Sequence, residues 1–421
     1  MRLPAAAPLS TIGPNGERVD PIVSLQALLE SGEVTFSYEP DTGYLRSLLA
    51  ALDIPVSSQG LVFSRTSLQT DRITPWSPRA IYFNDDVYIG FVQESPILEI
   101  ASIDPDDGAV FYLLAQDAQA TPRFQKETTT CLMCHDSRTV TGGVPGVMVR
   151  SVLTDRFGYV VTPLQEGPVT DRTPAEERFG GWYVTGTHAP GAHAGNVLAP
   201  GLSHEVQDKE RYLNGFDMNA AGNVTDLTDR FDTSIYLSGH SDIVALLVLT
   251  HQTRVHNLIT MASEASREAL REQDAVLRTT GESPPEGGLI PSASIRIDGA
   301  VDRLVREMMF AREAPLGGPI VGTSGFTEEF MAVGPTDARG RSLRDFDLQD
   351  RLFEYPLSFL IYTDAFDALP DLVKDRVYVR IETILAGRDE SGDFDHISAD
   401  ARGAIRDILR ATKPDFAARL P

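Results

Sequence analysis

The chain has 421 residues, of which 42% are hydrophobic and 23% charged, the balance of an ordinary globular fold with a sizeable core. Its net charge of −23 repels phosphate backbones and anionic lipid, which argues against nucleic-acid binding and peripheral membrane docking and leaves a basic protein partner open. No run of eighteen apolar residues exists to cross a membrane.

Residues 1–20 read as a disordered arm. Met1 to Pro8 carries one Arg but no apolar stretch of signal-peptide length, and the turn-forming Gly13-Pro14-Asn15-Gly16 soon follows. Two short helical patterns, 22–29 and 44–49, then flank an extended stretch at 34–38. From 60 to 114 the pattern turns to strand. Segments 61–63, 80–83, 87–92, 97–103 and 110–114 are β-branched and aromatic, and turn clusters such as Asn84-Asp85-Asp86 and Glu94-Ser95-Pro96 separate them. This spacing predicts an antiparallel meander.

The chemistry lies just beyond it. Cys131-Leu132-Met133-Cys134-His135 holds both cysteines of the chain, spaced C-x-x-C and followed at once by histidine, the attachment pattern of a c-type haem. Two thiols three positions apart can reach the two vinyl groups on one porphyrin edge, and the next residue then lies beneath the iron, where an imidazole binds axially. A redox-active dithiol wants its first Cys at a helix N-terminus within a βαβ unit, which Thr128-Thr129-Thr130 does not continue. Structural zinc needs further soft ligands, and no Cys remains. The residues therefore predict one covalent haem c on Cys131 and Cys134, with His135 as axial iron ligand. Thioether attachment happens outside the cytoplasm, so a periplasmic or otherwise exported protein is expected, its signal removed or missed at the start of the chain.

A hairpin is predicted next, from 147–153 and 159–161 around a turn at Asp155-Arg156-Phe157-Gly158. Small cytochromes c are nearly all helix, with the motif closing an N-terminal helix; here it follows a sheet, so analogy to that class misleads. Residues 163–236 are loop-rich. Ser241 begins the clearest helix, running to about Leu277, and the polar stretch 279–294 reads as a linker or long surface loop. Helical patterns follow at 301–313, 370–386 and 398–412, the last with Ser398 as N-cap.

The sixth iron position has three candidates. On the helix from Ser241, the residues Ile243, Val244, Leu247, Val248, Val255, Leu258 and Ile259 share one arc with His251 at its centre and Arg254 towards its edge, while His256 is turned well away. One arrangement has His251 facing the haem with Arg254 on a propionate; the other is a core histidine bonded within the protein. His188 and His193 sit in a glycine-rich loop, as rival sixth ligands or distal acid–base groups, or as parts of a surface turn. Arg123, Arg138, Arg150 and Arg178 flank the motif and loop as further candidates for propionate partners.

With SSQ-x-x-VF-S from Ser57, PRA-x-YFNDDVY from Pro78, CLMCHDS, GVPG, GGWYVTGTH, SDIVALLVL-x-HQTR-x-HN and GRSLRDFDL in view, the chain resembles a family of bacterial mono-haem c-type cytochrome-domain proteins. The resemblance implies haem at Cys131 and Cys134 with His135 as axial ligand, and implies no reaction.

The expected fold is α+β, an antiparallel sheet-rich, haem-bearing N-terminal half (21–236) packed on a mostly helical C-terminal half (237–421). The expected function is periplasmic electron transfer with a redox partner protein. Alternatives are a haem-dependent redox enzyme, peroxidase-like, acting on a small oxidant at an open sixth position, and a haem-based sensor or scaffold. Electron transfer alone needs only about a hundred residues, one small domain, so the size of the chain argues for an added role.

Overall fold

The computed structural model describes residues 19–119, 121–205, 217, 222–283, 285 and 288–419. Two helices lead in, α1 (Pro21–Ser31) and α2 (Leu45–Ala51). The meander follows as β1 (Gly60–Val62), β2 (Arg79–Phe83), β3 (Val87–Phe91), β4 (Ile97–Asp104), β5 (Gly108–Ala115) and β6 (Phe124–Glu127). After the four-residue helix α3 (Leu132–His135) come the hairpin β7 (Val152–Thr154) and β8 (Val160–Pro163), and then β9 (Trp182–Tyr183). The first sheet runs β6-β5-β4-β3-β2-β1-β9, antiparallel throughout.

Strand alternation gives this sheet two faces with different covers. Leu61, Phe63, Tyr82, Ile89, Phe91, Leu98, Ile100, Tyr112 and Leu114 point to one side and pack with Ile22, Leu25, Leu45 and Leu48 of α1 and α2. Val62, Phe83, Tyr88, Ala101, Ile103 and Phe111 point to the other and pack with α4 (Ile243–Thr280). The expected arm ends earlier than residue 20, because Asp20 is buried, caps α1 through Ile22 N and accepts from the Tyr112 hydroxyl; residues 1–18 lie outside the described residues.

Helix α4 is the spine. Asp242 caps its start, Gly281 closes its end at φ 71°, and residues 243–253 are buried on every side. A helix apolar all round has an interior on both flanks. Its first flank is the sheet, where Leu246 reaches Gly60 and Gln252 reaches the Tyr88 hydroxyl. Its second flank is the helical half: α5 (Pro291–Met308), α6 (Phe326–Met331), α7 (Asp364–Asp367), α8 (Asp371–Leu385), α9 (Ala399–Thr412) and α10 (Pro414–Arg419). One core runs from Phe111 in the sheet through α4 to Phe416, so the boundary expected at 236/237 separates halves of a shared interior.

The extended stretch expected at 34–38 joins no named strand. Helix α5 starts at Pro291 rather than 301, because proline suits the first helical turn, and this takes residues 291–294 out of the expected linker. Just before α5, Gln273 donates to Gly288 O and accepts from Ile290 N. Strands β6 and β9 were not anticipated; Phe124-Gln125-Lys126-Glu127 is mostly polar and Trp182-Tyr183 is too short to show alternation.

Candidate functional site

The motif forms one helical turn laid on the α4-facing side of the sheet. Cys131 precedes α3, and the His135 amide closes back on the Cys131 carbonyl at 3.0 Å. Cys131 is half-buried, Cys134 is exposed and Met133 is 82% exposed, so the turn presents one thiol inward and one outward. Burial, with Glu127 and Glu99 adding to it, pushes the Cys131 thiol up to about 11, the opposite of what an attacking dithiol requires. Among the described residues no group of three His, Cys, Asp or Glu side chains is placed to hold a metal ion.

His135 is held from two sides. Its ring lies over Phe111 of β5, centroids 4.8 Å apart, and its Nδ1 is 2.8 Å from the Gly146 carbonyl. A carbonyl oxygen only accepts, so Nδ1 carries the proton and Nε2 presents a lone pair. No side chain or backbone group hydrogen-bonds Nε2 among the described residues. Burial lowers the imidazole's pKa, which keeps that lone pair free at neutral pH. This is the tautomer and orientation a metal-ligating histidine needs, fixed by its other nitrogen.

Gly146 is fixed in turn. Its amide donates to the His135 carbonyl, Pro145 O accepts from Ala109 N of β5, and the next residue, Val147, exchanges two bonds with Asn257 of α4: Val147 N to Oδ1 at 3.1 Å and Nδ2 to Val147 O at 2.8 Å. A side chain on Gly146 would collide with Asn257. The GVPG segment is thus a strap between α4 and the motif. Sequence reading noticed it without assigning it a purpose.

The nominated partners lie elsewhere. His251 is fully buried on the second flank of α4: its Nδ1 bonds Asp171 Oδ2 at 2.7 Å, its Nε2 bonds Ser358 Oγ at 2.8 Å, and its ring stacks on Phe310 at 4.2 Å. Neither nitrogen is free for iron, and the expected haem-facing role gives way to a polar tie within the helical half. The apolar arc did predict a buried side, but α4 has two, and His251 faces the one away from the motif. Arg254 follows it, Nε lying 3.9 Å from Glu307 Oε2, a carboxylate it shares with Arg172.

His188 and His193 pair with each other at 2.9 Å between their Nε2 atoms. The Gly195 amide donates to His193 Nδ1, so His193 Nε2–H donates to His188, whose Nδ1–H reaches Ala189 O. All four ring nitrogens are used. Arg178, another flanking candidate, is buried with its guanidinium on the carbonyls of Thr173 and Asp171. His256, turned away from that arc, is buried against the sheet with Nδ1 2.9 Å from the Tyr88 hydroxyl and with Nε2 unpartnered.

Two residues that sequence reading missed stand beside the motif: Arg79 on β2 and Glu99 on β4 form an ion pair on the same sheet face. Glu99 was legible as the one charge in the inward alternation Ile97, Glu99, Ala101, Ile103. No protein-family model, curated protein or solved structure matches this chain.

Proposed function

We propose that this is a mono-haem c-type protein, similar to the bacterial cytochrome-domain family named above, that exchanges single electrons with a partner protein in the periplasm or another exported compartment. The observation that carries the reading is His135: a protonated Nδ1 locked on Gly146 O and an unclaimed Nε2 lone pair, directly following two cysteines on one helical turn. The donor set fits haem c, with Cys131 and Cys134 as thioether sites and His135 as axial ligand. Bound haem supplies a one-electron ferric/ferrous couple. The protein's own part is to orient the imidazole through the Gly146–Asn257 strap, to bury it against Phe111, and to keep the Met133–Cys134 side open to solvent, where a porphyrin edge can meet another protein. The net charge of −23 favours a basic partner.

A second reading is supported by the three nominated histidines all being consumed by protein contacts. An open sixth position favours chemistry on a small oxidant over transfer alone. Absorption spectra of the oxidised and reduced holoprotein separate the two. A six-coordinate low-spin spectrum supports electron transfer, and a high-spin ferric spectrum supports the open site.

A further inference from the structure

Trp76, Phe157 and Tyr159 form a surface cluster outside the site described above. With exposures of 55%, 38% and 50% they are three of the four exposed aromatic side chains among the described residues, Tyr38 being the fourth. Single exposed apolar residues are ordinary and call for no account. These are grouped, however: the Trp76 and Phe157 rings meet edge to face, centroids 6.1 Å apart and planes 83° apart, and Tyr159 lies one residue beyond the turn glycine Gly158. Tryptophan and tyrosine held in water beside arginine are the residue types that dominate the centres of protein interfaces.

The two turns that carry the rings are braced from behind. Thr74 and Ser77 exchange backbone hydrogen bonds of 3.1 Å around Pro75-Trp76, and the buried Tyr183 hydroxyl donates to Pro75 O. In the second turn, the buried Asp155 accepts the amides of Phe157 and Tyr159 on Oδ1 and that of Ser203 on Oδ2, while Gly158 N donates to Asp155 O. Gly158, at φ 86°, joins the turns: its carbonyl accepts from Arg65 N at 2.9 Å, and a Cβ on it would lie 2.5 Å from Phe63 O and 3.6 Å from Pro75 Cδ. The rings are therefore preorganised, which lowers the entropic cost of an encounter.

The charge of the cluster runs against the rest of the chain. Arg65 stacks over the Tyr159 ring with Cζ 4.4 Å from its centroid, and Arg156 over Phe157 at 4.9 Å. Arg65 gives its N–H groups to the carbonyls of Thr70 and Asp71; neither guanidinium pairs with a carboxylate among the described residues, although the chain holds 60 acidic residues against 37 basic ones. Both oxygens of Asp155 are already taken by amides. We infer that this cluster docks an acidic segment of a partner protein, which brings a carboxylate to Arg156 and sets an apolar side chain in the corner between Trp76 and Phe157. A guanidinium stacked on a ring keeps its planar N–H edge for a carboxylate. The nearly perpendicular rings offer a corner for one side chain, not a flat strip for successive sugar rings. The inference does not rest on the haem c reading, and its partner is opposite in charge to the basic one proposed for electron exchange.

Fluorescence anisotropy of a fluorescein-labelled glutamate–tyrosine copolymer, titrated with the purified protein, tests this. The wild-type protein binds the copolymer more tightly than labelled polyglutamate. Trp76→Ala weakens that binding at least about tenfold, the loss expected of an interface anchor. Arg156→Glu also weakens it and flattens its dependence on salt. Val379→Ser, which removes an exposed apolar side chain on α8, leaves binding unchanged. Trp76 and Arg156 are exposed, so both variants keep the fold, as circular dichroism checks; should Trp76→Ala fail to fold, Arg156→Glu decides. No binding by the wild-type protein, or equal binding by the wild-type protein and the variants, overturns the inference. So does displacement of the copolymer by polygalacturonate, which assigns the cluster to an acidic polysaccharide, or a dimer in sedimentation that Trp76→Ala dissociates, which assigns it to a second copy of the chain.

Discussion

Replacing Asn257 with alanine removes the anchor beneath His135. The side chain is 3% exposed and makes two hydrogen bonds to the Val147 backbone, at 3.1 and 2.8 Å. Truncation strands one buried N–H and one buried C=O, each costing about 1–3 kcal/mol. Water entering the space left by the amide offsets part of this, so a net loss of about 2–4 kcal/mol is expected. Against a typical total of about 5–15 kcal/mol that is a large effect. Urea unfolding followed by far-ultraviolet circular dichroism measures it, with an unchanged slope showing that the unfolded reference is the same. Because Gly146 precedes Val147 in the strap, the same variant should also broaden the His135 imidazole signals in NMR of the haem-free protein. A loss below about 0.5 kcal/mol, the range of unremarkable surface substitutions, would refute the strap as the support of the site.

His251→Leu should destabilise the protein by about 2–5 kcal/mol, since it strands Asp171 and Ser358 in the core, while leaving the visible spectrum of the holoprotein unchanged; a changed ferric spin state would return His251 to the iron. His193 carries a pH prediction. Burial, reinforced by His188, pushes it down to about 3, so between that value and about 6.5 the unfolded chain binds a proton that the folded protein refuses. Its contribution to stability is full above pH 6.5 and is lost as pH falls towards 3. His193→Gln should therefore lose less of its urea midpoint between pH 7 and 4 than wild type does, and equal losses would count against the assignment.

Much of the fold was legible because period-two alternation is strong in a two-faced antiparallel sheet: β1 to β5 fall where the Val, Ile, Tyr and Phe runs place them. Ser398 marked a helix start through its capping chemistry and the structure uses it as a cap, while the helix expected from Ser241 is capped by Asp242. The motif itself announced Cys131, Cys134 and His135. The surroundings were harder to read because they depend on which flank of α4 meets which neighbour. A single apolar arc centred on His251 suggested one buried face, whereas α4 is enclosed on both sides, with His251 on Phe310 and His256 on Tyr88. Arg79 and Glu99 are twenty residues apart in the chain and meet only through the β2–β3–β4 register, so their pairing required the sheet order. Gly90, inside a strand, leaves room for the Arg79 guanidinium.

The central claim is covalent haem at Cys131 and Cys134, and intact-mass spectrometry of the protein matured in a periplasm with the c-type attachment machinery tests it most directly. The account predicts a mass increased by one haem, retained after denaturation and abolished in the Cys131→Ala/Cys134→Ala variant. A wild-type protein of unmodified mass after that maturation would contradict it.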